Sequence, residues 1–154
     1  GKYRCFPDYK YTEALGLLIE EGYKVVLVGK SEKNLKGIRN NKEIFEYRGY
    51  NTSNLIDSVS LRLATELTRH ANGFIGTHSS MLSAAWTNGV PSVFFYPSRD
   101  EHGHTRSIKE HGGETGKWAM DKPWTFAYEK TPEEFQNIKT NLVVDKLLKL
   151  METK

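Results

Sequence analysis

The run Val25-Val26-Leu27-Val28, closed by Gly22 on one side and Gly29 on the other, constrains the fold more than any other segment. It is too short for a helix and shows no polar alternation, so it reads as a parallel strand covered on both faces. The segment before it, Thr12 to Glu21, carries Ala14, Leu15, Leu18 and Ile19 at helical spacing behind a Thr cap, with Gly22 as its stop. The helix-then-strand rhythm repeats downstream. Ser31 to Ile38 is expected to be a short polar helix, Ile44 to Arg48 a strand, and Ser58 to Ala71 a helix built on Val59, Leu61, Leu63, Ala64 and Leu67. Gly73 to Gly76 follows as a brief strand, Ser79 to Thr87 as a helix of small residues, and Pro91 to Tyr96 as a second buried strand. Strict rotation of this kind predicts a three-layer α/β domain with an open parallel sheet.

The rhythm stops between Pro97 and Trp124, where His102, His104, His111 and several glycines lie among charges without an apolar period. This predicts a long, mobile loop or a loop with short turns. Thr125 to Tyr128 reads as a last strand. Thr131-Pro132-Glu133-Glu134 has the Thr, Pro and acids of a helix start, so the final helix is expected to run from there to about Met151.

At 154 residues with 38% hydrophobic residues, the chain is expected to form one domain over residues 1–154. The charged fraction of 27% and net charge of +3 are spread evenly, which argues against nucleic-acid binding. A single cysteine, Cys5, forms no internal disulfide, and the spacing of Asp100, His102, His104 and His111 is too irregular for a metal site. No apolar run approaches bilayer length and the first residues lack a leader pattern. The expected setting is therefore cytoplasmic, with at most peripheral membrane contact. The chain opens on Gly1-Lys2 without an initiator Met, which reads as an excised piece of a longer protein.

Chemistry is expected at Gly76-Thr77-His78-Ser79-Ser80-Met81, where a strand ends and a helix begins. Ligands of open α/β sheets collect at the carboxyl ends of the strands. Free N–H groups at a helix start, joined by hydroxyls of Thr77, Ser79 and Ser80, make an anion site suited to a pyrophosphate. Serines in that position also serve as plain helix caps. His78 is a candidate for orienting a phosphate or carrying a proton to a leaving group, and equally for a structural hydrogen bond. Gly29-Lys30-Ser31 lies at the mouth of a strand but lacks the earlier glycine of a phosphate-binding loop. Tyr50-Asn51 reads as a turn.

The segments Phe6-Pro7, Ala14-Leu15, Gly22 to Gly29, Gly49-Tyr50-Asn51-Thr52, Phe74-Ile75-Gly76 and Gly89-Val90-Pro91 together resemble the C-terminal domain of the ADP-heptose:lipopolysaccharide heptosyltransferases. The resemblance covers most of the chain. It implies a Rossmann-like half of a two-domain GT-B glycosyltransferase, with a nucleoside-diphosphate sugar as donor substrate and no cofactor. It further implies diphosphate contacts by Arg4, Gly29, Lys30 and the Gly76–Met81 turn, and ribose contacts by Glu110 or Glu114. In that family the turn reads Asp-Ser/Thr-Gly with a His on the helix. Thr77, His78, Ser79 and Leu82 depart from this pattern, which leaves the donor sugar open. The family's first C-domain strand and its N-terminal acceptor domain are not represented in the chain. The expectation is a donor-binding domain that needs an N-terminal partner domain, or self-association, and is inactive alone. The alternatives are a non-catalytic Rossmann-like binding or assembly module, or a GT-B-related epimerase or pyruvyl transferase.

Overall fold

The computed structural model describes residues 6–29, 47–77, 80–100, 102–111 and 120–153. Strand β4 (Ser92–Pro97) is buried along its whole length, so its side chains must be covered on both faces. Val93 and Phe95 point into a core with Phe6, Phe135, Val143, Leu147 and Leu150. Phe94 and Tyr96 point the other way, into a core with Leu82, Trp86 and Ile108. One strand thus feeds two cores through the period-two alternation of its side chains.

Helix α1 (Asp8–Glu20) starts one turn earlier than the Thr12 cap suggests. Phe6 is fully buried and pins the chain, while Pro7 carries φ −58° and ψ 137° and its carbonyl accepts from Lys10 N and Tyr11 N at 3.0 and 3.3 Å. The helix ends as its sequence says. Gly22 has φ 93°, Gly22 N donates to Ile19 O at 2.9 Å, and Tyr23 N donates to Leu18 O at 3.1 Å. This is the Schellman pattern, which needs a left-handed residue where glycine stands.

Strand β1 (Val25–Leu27) pairs in parallel with β2 (Thr52–Asn54). Of the strand expected at 44–48, residues 44–46 lie outside the described residues, as does the expected helix at 31–38, and Tyr47 and Arg48 are not in a strand. Pairing begins only after the Tyr50-Asn51 turn, where Asn51 has φ 53° and its carbonyl accepts from Val25 N at 2.9 Å. The polar sequence Thr52-Ser53-Asn54 hides this strand from a hydrophobic pattern.

Helix α2 (Leu61–Thr68) is capped by Ser60, whose Oγ accepts from Leu63 N at 3.1 Å. Strand β3 (Phe74–Thr77) leads to α3 (Ser80–Thr87), and Gly89 closes α3 with a second Schellman pair, Gly89 N to Trp86 O and Val90 N to Ala85 O, both 2.9 Å. The segment expected to be a long loop, or a loop with short turns, contains an isolated bridge, Arg99 to Thr105, and the single turn α4 (Ile108–His111). Strand β5 (Thr125–Lys130) follows.

The expected final helix is broken in two. A 3₁₀ turn (Glu134–Asn137) precedes α5 (Thr140–Glu152), separated by Ile138 at φ −73° and ψ 123°. Thr131 and Glu134 do form the capping pair their spacing announces: Thr131 N donates to Glu134 Oε1 at 3.0 Å, and Glu134 N donates to Thr131 Oγ1 at 3.3 Å. The interruption has tertiary causes. Phe135 is fully buried, Lys10 Nζ donates to Ile138 O, and Thr140 Oγ1 donates to Glu13 Oε2 at 2.8 Å.

All strand pairs are parallel, as expected of an α/β domain, but a single continuous sheet is not what the described residues form. They form a two-stranded group, β1-β2, and a three-stranded group, β3-β4-β5. Helices α1 and α5 pack together, with α5 on β4 and α1 on β1, while α2 packs on α3 and α3 on β3 and β4. The helical layers therefore lie on opposite faces of the strands. Val26, expected to be buried on both faces, is 48% exposed; among the described residues β1 pairs with β2 alone.

Candidate functional site

Parallel strands end at a common edge, and Thr77, the last residue of β3, stands in register with Phe95 near the end of β4. Helix α3 begins three residues later at Ser80, so its N-terminus opens at that edge. The sequence motif therefore runs from a strand end to a helix start, the arrangement that an anion site requires. Its turn residues His78 and Ser79 lie outside the described residues, as do Arg4, Lys30 and Glu114. Thr77 and Met81 are half-buried, and Gly76 is buried.

Two of the candidate glycines have structural reasons for being glycine. A Cβ at Gly76 would meet the Phe74 ring at 2.7 Å. Gly29 has φ 138°, and its carbonyl accepts from Asp57 N at 3.0 Å, which ties the end of β1 to the segment after β2. Glu110 is exposed on the single turn of α4, whose first N–H, that of Ile108, is taken by Glu129 Oε1 at 2.8 Å. Gly29 and the Gly76–Met81 turn belong to different strand groups, so the described residues do not gather all the candidates into one site.

The segment after β4 brings a group that the sequence pattern did not single out. Arg106 is half-buried, with its guanidinium 5.2 Å from the centroid of the Tyr96 ring, and it donates to Tyr96 Oη at 3.4 Å. Tyr96 and Leu82 belong to one core cluster, so Arg106 sits above the core that also holds the first turn of α3. An isolated Arg in a polar loop carries no periodic signal; its place is set by Arg106 N donating to Ser98 O at 2.7 Å. An Arg fork held by such contacts is suited to a phosphate oxygen pair.

Asp100 organises the same loop. Its Oδ1 accepts from His102 N at 2.9 Å and His104 N at 2.8 Å, and its Oδ2 lies 3.2 Å from His104 Nδ1. The bond from the His104 backbone is the main reason its carboxyl is held below the usual aspartate value. The Asp100, His102 and His104 cluster thus closes a loop. Arg99, next to it, pairs with Glu133 across the strand ends.

A separate groove of about 590 Å³ lies between α1 and α5, lined by Lys10, Glu13, Gly16, Lys139, Thr140 and Asn141 among others. It contains none of the candidate residues. Among the described residues no helix is long and apolar enough to cross a membrane.

Comparison with known proteins points the same way as the motif. The profile of glycosyltransferase family 9 (heptosyltransferase) matches residues 2–134. The structure of E. coli ADP-heptose lps heptosyltransferase II superposes with a TM-score of 0.71 at 18% identity, over 99% of this chain and 44% of that one. This chain therefore spans less than half the length of that protein. No curated protein matches it significantly.

Proposed function

The chain belongs to glycosyltransferase family 9, the heptosyltransferase family, and from that premise we propose that it is the donor-side domain of a two-domain sugar transferase. In this reading it binds a nucleoside-diphosphate sugar at the β3–α3 junction. The observation that carries the reading is the start of α3 at Ser80, three residues beyond Thr77, the last residue of β3. The N-terminal N–H groups of α3 and the hydroxyls of Thr77, Ser79 and Ser80 take the diphosphate, and Arg106 adds a positive charge at the same edge.

The chemistry asked of these groups is electrostatic. An acceptor hydroxyl attacks the anomeric carbon, the bond to the diphosphate breaks, and the departing diphosphate gathers negative charge. His78 holds or protonates that leaving group. A second domain brings the acceptor hydroxyl and the base that takes its proton, so this chain alone binds donor without transferring sugar.

Calorimetric titration with a panel of nucleoside diphosphates tests the reading. Weak binding that declines with salt is expected. A folded protein that ignores every member of the panel at millimolar concentration defeats the donor reading and favours an assembly module.

A further inference from the structure

The chain after β4 doubles back on itself as a short hairpin. Its outgoing arm is tied to the sheet, since Ser98 N donates to Lys130 O at 2.8 Å and Arg99 pairs with Glu133. Its returning arm is tied to the outgoing one. Arg99 bridges Thr105 in antiparallel sense, flanked by Asp100 N donating to His104 O at 2.9 Å and Arg106 N donating to Ser98 O at 2.7 Å. Gly103, at φ 82°, makes the reversal, and its N–H donates to Asp100 O at 3.1 Å.

The register of the two arms decides where Arg106 points. Side chains of paired strands alternate between two faces, so a slip of one residue carries Arg106 to the face away from Tyr96. The contacts of Arg106 itself are weak arbiters of that choice: its bond to Tyr96 Oη is 3.4 Å long, and its guanidinium stands 5.2 Å from the ring centroid. Burial does not choose either. The arms read Ser98-Arg99-Asp100 and His104-Thr105-Arg106, with no apolar residue to prefer one face. Asp100 supplies the missing discrimination. Its Oδ1 accepts from both His102 N at 2.9 Å and His104 N at 2.8 Å, and its Oδ2 lies 3.2 Å from His104 Nδ1. These bonds exist in one register, because they require residues two and four places beyond the carboxylate to return to it.

We infer that Asp100 is a positioning residue for Arg106: by accepting two backbone N–H groups across the turn, it pins the register that sets the Arg106 guanidinium beside Tyr96, where it can receive a phosphate oxygen pair. The effect is preorganisation. A long side chain that is placed before its ligand arrives avoids an ordering cost worth about two- to tenfold in affinity. Acceptor geometry does this, so an amide oxygen serves as well as a carboxylate, and a methyl group does not. The diphosphate as ligand rests on the donor-domain reading. The coupling of Asp100 to Arg106 does not.

Four variants test the inference: Asp100→Ala, Asp100→Asn, Arg106→Ala, and Asp100→Ala combined with Arg106→Ala. The first measurement needs no ligand. Asp100→Ala is expected to speed amide exchange at Arg106 by roughly tenfold or more and to raise the mobility of its Nε–H group in NMR relaxation, while Asp100→Asn leaves both near wild type. The second is calorimetric titration with ADP, GDP and UDP. Asp100→Ala is expected to weaken binding about two- to tenfold, Asp100→Asn to restore it, and Asp100→Ala to have no further effect once Arg106 is already Ala, as a double-mutant cycle requires of a residue acting through another. Unchanged exchange and mobility at Arg106 in Asp100→Ala overturn the inference. So does an Asn variant that behaves as Ala, or an equal loss of affinity with and without Arg106. If Arg106 loosens as expected and wild type binds none of the three nucleotides, the donor-domain reading falls and the positioning of Arg106 by Asp100 stands.

Discussion

Phe6 and Phe95 stack face to face, with ring centroids 4.0 Å apart and 5° between their planes, and both are fully buried. The contact ties the residue before α1 to the centre of the sheet, with Tyr11 meeting the Phe6 ring edge-on at 5.2 Å. Phe6→Ala is expected to lower unfolding free energy by about 3–5 kcal/mol, the range for emptying a large aromatic site. Urea denaturation measures it. A loss under about 1 kcal/mol would mean that the stack does not hold α1 in place.

Two glycines in and after α1 should respond to alanine with opposite sign. Gly22 has φ 93°, so Gly22→Ala costs about 1–2 kcal/mol through backbone strain although nothing lies within 4 Å of the added Cβ. Gly16 is inside the helix and its Cβ position is also open. Gly16→Ala should therefore stabilise by about 0.5–1 kcal/mol. Thermal unfolding of the two variants decides it, and a shared sign refutes the argument.

The pH response of the Thr131–Glu134 cap has a definite direction. Hydrogen bonds from the Thr131 side chain, and then from its backbone, hold the Glu134 carboxyl below its ordinary value. A carboxylate with a depressed folded pKa contributes stability that is complete above its unfolded value and is lost as pH falls through the folded one. Thr131→Ala should destabilise the protein at neutral pH, and the difference from wild type should shrink on acidification below the ordinary glutamate range. Urea titrations at neutral and acid pH test this; a difference constant with pH would remove Glu134 from the account.

Arg106 provides the sharpest probe of the candidate site. Arg106→Ala should weaken nucleoside diphosphate binding by about 1.5–3 kcal/mol, the scale of a hydrogen bond to a charged group. Ser79→Ala with Ser80→Ala should weaken it by about 1–3 kcal/mol. Arg106→Lys should recover only part of the loss, because an ammonium lacks the planar fork. Calorimetry at fixed ionic strength, with thermal unfolding checked, gives the result. Unchanged affinity in Arg106→Ala would detach the loop after β4 from the site.

Pattern reading succeeded where one residue's local chemistry decides an element. Gly22 and Gly89 stop their helices because only a left-handed residue completes the terminal hydrogen bonds. Pro91 to Tyr96 read as a buried strand because successive residues without a polar period need cover on both faces, and the strand runs from Ser92 to Pro97. Local pattern failed where pairing is set by distant partners. Thr52-Ser53-Asn54 is a strand only because β1 lies beside it. For the candidate site, the end of β3 and the start of α3 were legible in the sequence, whereas Arg106 was not, since Tyr96 and Ser98 set its position.

By itself the sequence determined the order and type of most elements, the two glycine stops and the Thr131 cap. These rest on φ preferences, side-chain periods and hydrogen bonds spanning a few residues. Tertiary structure alone decided where α1 begins, where the last helix breaks and which strands pair. Each of those outcomes depends on contacts between residues far apart in the chain: Phe6 with Phe95, Lys10 with Ile138, and Glu13 with Thr140. Burial and pairing between remote segments have no local period to betray them, so they are settled only when the layers close on one another.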